Sequence, residues 1–236
     1  MTLRIMRTLL LASAVAAIAV SSSPARAMLT KPLTQLEPSW PELKLRIDVR
    51  NLVGPNEAGK LTVEQLDSRV EANNLVWAQC GIRFIARARI NVTAGELGIP
   101  YEPKSEEDLS KIAVALNPHG FDGAVPLTVA GPWQFYDPHV GLWLHGLGWV
   151  FTLGQKIDRI GAMVSALRIF LPTGGAIIAH ELAHALSLPH VAESDNLMGP
   201  GGTNTLTLAQ CRQARNFSET ALADFVVAPA TVARAP

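Results

Sequence analysis

The stretch that decides the reading is His180-Glu181-Leu182-Ala183-His184-Ala185-Leu186-Ser187-Leu188-Pro189-His190. On a helix, residues four apart lie on one face, one above the other. The imidazoles of His180 and His184 can therefore reach one zinc ion, each at roughly 2.0–2.1 Å. Glu181 falls about 100° round the helix from His180, near enough to hold a water at the metal without being a ligand. Pro189 blocks continuation of the helix. The chain must turn after about Ser187 and bring His190 back from another direction. Three nitrogen ligands leave a fourth position open, the pattern of a catalytic rather than a structural zinc site.

The spacing of His180, Glu181, His184 and His190 resembles the metzincin zinc peptidases, whose pattern is H-E-x-x-H-x-x-G-x-x-H followed by a methionine turn. Asp195-Asn196-Leu197-Met198-Gly199-Pro200 supplies a candidate for that turn, with Met198 eight residues after His190. The resemblance implies an α+β fold: a mixed, mostly parallel twisted sheet with an active-site helix, a methionine turn and a C-terminal helix. It implies that Met198 lies beneath the metal and packs against the ligand histidines. It also implies an antiparallel edge strand near the active helix, able to take up substrate backbone through unpaired N–H and C=O groups. One position departs from the pattern, because the family's glycine falls on Ser187. That glycine lets the chain leave the helix with positive φ, a conformation costing a serine about 1–2 kcal/mol. The motifs cover only about residues 173–200, so no substrate preference follows from them.

Upstream of the motif, Thr173 is placed to cap the active helix. On that helix Ile178, Leu182 and Ala185 lie opposite the histidines, so one face should grip the core while the other presents the ligands. Ile160 to Leu171 reads as a strand feeding directly into it. Gly131 to Gly148 reads as irregular and crowded with aromatics, either the rim of a cleft or a loop with a local core of its own. His119, His139 and His145 match no metal-site spacing and read as ordinary histidines. Downstream, residues 201–204 form a loop, and Leu206-Thr207 opens a final helix running to about Phe225.

Earlier in the chain, Leu43 to Val49 alternates apolar and charged residues, a half-buried strand. Gly54-Pro55-Asn56 marks a turn. Thr62 to Gln79 reads as a helix with Val63, Leu66, Val70, Asn74 and Trp77 on one face, stopped by Gly81. Ile82 to Val92 returns as a strand, which suits a crossover unit of a parallel sheet. Asn91-Val92-Thr93 has the form of a glycosylation sequon. Ser105 to Asp108 starts a second helix with acidic residues in its first turn, ended by Asn117-Pro118, and Ala124 to Val129 reads as a third strand.

Residues 1–27 read as a signal peptide: Arg4 and Arg7, an apolar run from Leu9 to Val20, then Ala25-Arg26-Ala27 as a cleavage site. The run is shorter than the roughly 20 residues that span a bilayer. What remains, 28–236, reads as one catalytic domain, with a proline-rich extended lead-in at 28–41 and a disordered tail at 228–236. Removing Arg4, Arg7 and Arg26 leaves 17 basic against 20 acidic side chains, which excludes a nucleic-acid partner read by a basic stripe. No membrane span is expected after cleavage. Cys80 and Cys211 are the two cysteines, and export makes a disulfide between them the leading reading, with two free thiols or a cysteine switch on the metal as alternatives.

These readings converge on an exported zinc peptidase with one catalytic Zn2+ on His180, His184 and His190, Glu181 as general base, and a peptide or protein as substrate. Two other classes fit the same residues: an envelope protein that holds zinc and binds a partner, and a zinc hydrolase of another amide such as a cell-wall peptide. The oligomeric state is not encoded in any motif.

Overall fold

A computed structural model of the chain describes residues 40–116, 123–137, 142–144, 146–153, 156–169, 174–200 and 202–227. The expected signal peptide at 1–27, most of the lead-in, Thr173, the three unassigned histidines, Asn117-Pro118 and the tail lie outside the described residues. The core is a five-stranded mixed sheet ordered β2-β1-β3-β7-β6. Its strands are β1 (Leu43–Val53), β2 (Ile82–Thr93), β3 (Val125–Ala130), β6 (Gly146–Leu153) and β7 (Lys156–Ser165). β1 pairs in parallel with β2 and β3, and β3 with β7; β6 runs antiparallel to β7. A separate two-stranded ribbon joins β4 (Phe135–Asp137) and β5 (Leu142–Leu144).

The crossover unit forms as its sequence dictates. Helix α1 (Val63–Trp77) opens on a capping box in which Thr62 and Gln65 satisfy each other's backbone N–H groups. It closes through a short 3-10 turn onto Gly81, whose φ of 62° is the left-handed conformation glycine adopts without strain. The chain then re-enters the sheet as β2. Val63, placed by periodicity on the apolar face, is instead 51% exposed, since the first turn overhangs the core.

Alternation along the strands sorts side chains to two faces. On one, Leu45, Ile47, Leu127, Val129, Ala162 and Val164 pack with Leu66, Val70 and Trp77 of α1 and with Ile178 and Leu182. On the other, Leu52, Ala130 and Met163 meet Leu109, Ile112 and Leu116 of helix α2 (Glu106–Leu116). The result is the mixed, mostly parallel α+β architecture expected, with helices on both sides of the sheet.

Three expectations need correction. The irregular stretch 131–148 contains β4, β5 and the start of β6: β4 and β5 are short runs of large residues, and in β6 Gly146 and Gly148 alternate with larger residues and so still obey the strand period. The strand read at Ile160–Leu171 is shifted: β7 covers Lys156–Ser165 and is followed by a single turn, α3 (Ala166–Ile169), before the active helix α4 (Gly174–Ala185). β7 is also interior to the sheet, so the antiparallel edge strand is β6. The Asn91 side chain donates to the Leu61 carbonyl (3.0 Å) and accepts from Asn51 (2.8 Å), so its amide is part of the sheet's own hydrogen bonding.

The C-terminal helix α5 (Leu208–Thr220) has Thr207 as N-cap with its own capping box to Gln210. A disulfide joins Cys80 to Cys211, Cα atoms 4.9 Å apart, and fastens α5 to the end of α1.

Candidate metal centre

Helix α4 is buried from Ile178 through Ala185, and only Ala176 and Ile177 of its first turn are partly exposed. It is an apolar helix of the kind expected inside a core. The histidines therefore point not to water but into a pocket that other segments complete. Gly175 allows α4 to lie against α1, where any side chain would come within 2.6 Å of Ala72 Cβ.

The helix ends on a Schellman motif. Leu188 N–H donates to Ala183 O (2.9 Å) and Ser187 N–H to His184 O (2.9 Å), with Ser187 at φ 66°. Serine thus takes the left-handed position that glycine occupies in the related pattern. The Ser187 carbonyl accepts from Gln213 of α5 at 2.6 Å. This reversal swings His190 back over the helix.

The three imidazoles meet there. His190 Nε2 lies 3.1 Å from His180 Nε2 and 3.2 Å from His184 Nε2. The other nitrogens are committed. His180 Nδ1 donates to the Leu197 carbonyl at 2.7 Å, and His184 Nδ1 donates to the Leu188 carbonyl at 2.9 Å. A carbonyl can only accept, so the Nδ1 positions carry the protons and both Nε2 atoms are bare lone pairs. Lone pairs converging on one point call for a cation. The 3.1 and 3.2 Å separations are close to the about 3.3 Å edge of a tetrahedron with zinc–nitrogen bonds near 2.05 Å. Among the described residues this triad is the one grouping of three metal-ligating side chains.

Burial sets the electrostatics. Desolvation lowers the pKa of His180, and it lowers that of His184 well below the usual range with help from its two neighbours. Desolvation first, then the charge of His180, brings His190 down to about 4. All three are neutral at pH 7, the form that binds a metal. Glu181 is 6% exposed. Burial pushes its carboxyl up to about 8, opposed by a hydrogen bond from the Gly148 backbone N–H.

Met198 is fully buried beside the triad's supporting segment, and its N–H donates to Asn196 Oδ1 at 2.9 Å. Asn196 is clasped in turn by Gln210 of α5 through two amide hydrogen bonds of 2.8 and 3.1 Å. Val191 N–H donates to the Met198 carbonyl (3.1 Å), tying the His190 segment to the same turn. Gln79, next to the disulfide, donates to Asn204 O (2.8 Å) and accepts from Leu206 N–H (2.9 Å).

Structure thus brings together the imidazoles of His180, His184 and His190, with Glu181 on the same helix and Met198 joined to them through the backbone bonds of Leu197 and Val191. Sequence reasoning missed the Leu197 and Leu188 carbonyls, the Asn196–Gln210 pair, and Gly146 and Gly148 on β6. Only the glycines left a trace in the sequence, two small residues at the strand period.

No protein-family model matches the sequence, and no curated protein matches it. Solved structures similar to the chain include two metalloproteinases. Metalloproteinase-II from Bacteroides fragilis is 13% identical with a TM-score of 0.46, over 76% of this chain and 55% of that one, so this chain spans little more than half its length. Archaemetzincin from Methanopyrus kandleri is 17% identical with a TM-score of 0.41, over 73% of this chain and 96% of that one.

Proposed function

We propose that the chain is an exported zinc peptidase of metzincin type. The observation that carries this reading is the convergence of three imidazole Nε2 atoms, those of His180 and His184 bare, beside a buried glutamate. His180, His184 and His190 would hold zinc, which when bound supplies a Lewis acid for the scissile carbonyl and its attacking water. Every other part of the chemistry belongs to the chain. The Leu197 and Leu188 carbonyls fix the histidine tautomers. Glu181, whose buried carboxyl the positive charge of a bound zinc would bring down into the ionised form, takes the proton from the attacking water and passes it to the leaving amine. Among the described residues β6 is paired on one side only, and its other side offers an extended substrate main-chain hydrogen bonds. Export rests on residues 1–27, whose removal after Ala27 leaves the single catalytic domain 28–236. The Cys80–Cys211 disulfide supports an oxidising destination.

The test is metal analysis of the mature protein together with cleavage of a diverse peptide library. One zinc per chain and hydrolysis are expected. Glu181→Gln should keep the zinc and lose about 10²–10⁴-fold in hydrolysis, whereas His184→Ala should lose both. A zinc-loaded wild type that cleaves nothing would move the binding reading ahead.

A further inference from the structure

Gly146 and Gly148 stand two residues apart on β6, opposite Val164 and Ala162 of β7, so both turn toward α4. A side chain at 146 would start inside the space of the Glu181 carboxyl group, 2.5 Å from its Cδ and 2.7 Å from its Cγ. A side chain at 148 would start 2.8 Å from the Glu181 carbonyl carbon and 2.8 Å from His184 Cβ. Carbon atoms in ordinary contact are about 3.5–4.0 Å apart. Bare backbone is therefore the only thing that fits between the sheet and this glutamate. The same backbone supplies the Gly148 N–H that donates to the carboxylate. The second carboxylate oxygen, Oε2, is buried and has no hydrogen-bond partner among the described residues.

We propose that Gly146 and Gly148 are positioning residues for Glu181. β6 forms a seat without side chains that presses the carboxylate into one orientation, anchors it through one N–H, and leaves Oε2 open as the proton acceptor. The inference rests on the reading of Glu181 as proton shuttle, and it adds what holds that shuttle in place. A glutamate free to rotate would spend most of its time with neither oxygen at the reacting water. Misplacement of a reacting group by about 1 Å can cost on the order of 10²-fold in rate.

The seat is tested on the mature, zinc-loaded chain. The amide resonance of Gly148 should move upfield in Glu181→Ala, where its acceptor is gone. Gly146→Ala should retain one zinc per chain, since the three atoms nearest the added methyl all belong to the Glu181 side chain. On a fluorogenic peptide mixture its kcat should fall about 10–100-fold with KM little changed. In the Glu181→Ala background the same glycine substitution should add no further loss, because the carboxylate it displaces is absent. A Gly148 amide that stays in place in Glu181→Ala overturns the proposal. So does a loss from Gly146→Ala that persists in full on top of Glu181→Ala. Should Gly146→Ala not fold, the Gly148 amide decides. If the wild type cleaves no peptide, the peptidase reading fails separately while the amide shift still reports on the seat.

Discussion

Ser187 holds the reversal that delivers His190, and it does so at φ 66°, where a Cβ crowds its own backbone. Ser187→Gly should remove about 1–2 kcal/mol of that strain and cost about 0.4–1 kcal/mol through the freer unfolded chain. The expected outcome is unchanged zinc binding and a melting temperature that is equal or higher; a clear drop would contradict the left-handed geometry. The turn was legible in the sequence from the Pro189 block and the need to return His190, and its positive φ was implied by the resemblance, whose glycine falls on Ser187. That serine adopts it was not legible, because a Schellman turn is built from backbone hydrogen bonds that any residue can make. Titration gives a second prediction, for protein stripped of metal by a chelator. Between the folded pKa values, about 4 for His190, and the unfolded value of 6.5, the unfolded chain binds more protons at the three histidines, so stability rises with pH. Glu181 acts oppositely: ionising near 4.5 when unfolded and about 8 when folded, it lowers stability as pH rises across that range. Three histidines outweigh one glutamate up to pH 6.5, after which Glu181 acts alone. Melting temperature of the stripped protein should therefore peak near pH 6.5 and decline on both sides; a monotonic profile would contradict these environments.

The turn that carries Met198 is braced rather than self-supporting. Asn196 binds Met198 N–H on one side and Gln210 on the other, while Leu197 N–H donates to the Thr205 carbonyl at 2.6 Å. Leu197 in turn orients His180, so strain in this brace reaches the metal. Asn196→Ala should leave the fold intact and weaken zinc binding about 10–100-fold, the usual effect of losing an outer hydrogen-bonded support. Competition with a chelator of known affinity measures it, and unchanged affinity would show that the Leu197 carbonyl is held by other bonds. Elements with strong local signals were legible: α1 through its apolar periodicity and the Gly81 stop, β1 and β2 through alternation, α4 through the histidine spacing. β6 was misread because glycines at alternate positions look like loop composition until the helix beneath them is known, and β7 was shifted because the apolar residues of Ala166–Ile169 extend the strand pattern past its end. The Asn196–Gln210 clasp left no signal at all, since two carboxamides fourteen residues apart announce nothing about their meeting.

Across the whole molecule, one covalent link joins the end of the first crossover to the helix that braces the site. Its two cysteines are 131 residues apart in sequence. Closing a loop of that size stabilises by at most about 4–5 kcal/mol in the chain-entropy model. Cys80→Ser with Cys211→Ser should lower the unfolding free energy toward that limit, read from denaturant titrations. Mass before and after reduction of the native protein should differ by two hydrogens, and two free thiols would overturn the bond. The pairing was legible in outline, since only two cysteines exist, but not its position beside Gln79, which depends on how α5 folds back. The sheet itself has two unlike margins. Along β2 the register slips by one residue between Ile47 and Asp48, and the extra residue, Arg87, reaches Asp48 at 2.6 Å. Arg83 and Arg89 on the same strand are tied to Glu71 and Asp67 of α1. A strand arriving there meets a kink and a row of engaged guanidinium groups, so the sheet does not grow from that side. Growth is left to β6 alone. Copies of this chain can then hand a strand to one another at most once, and a ribbon that must extend at both margins to become a fibre has nowhere to continue.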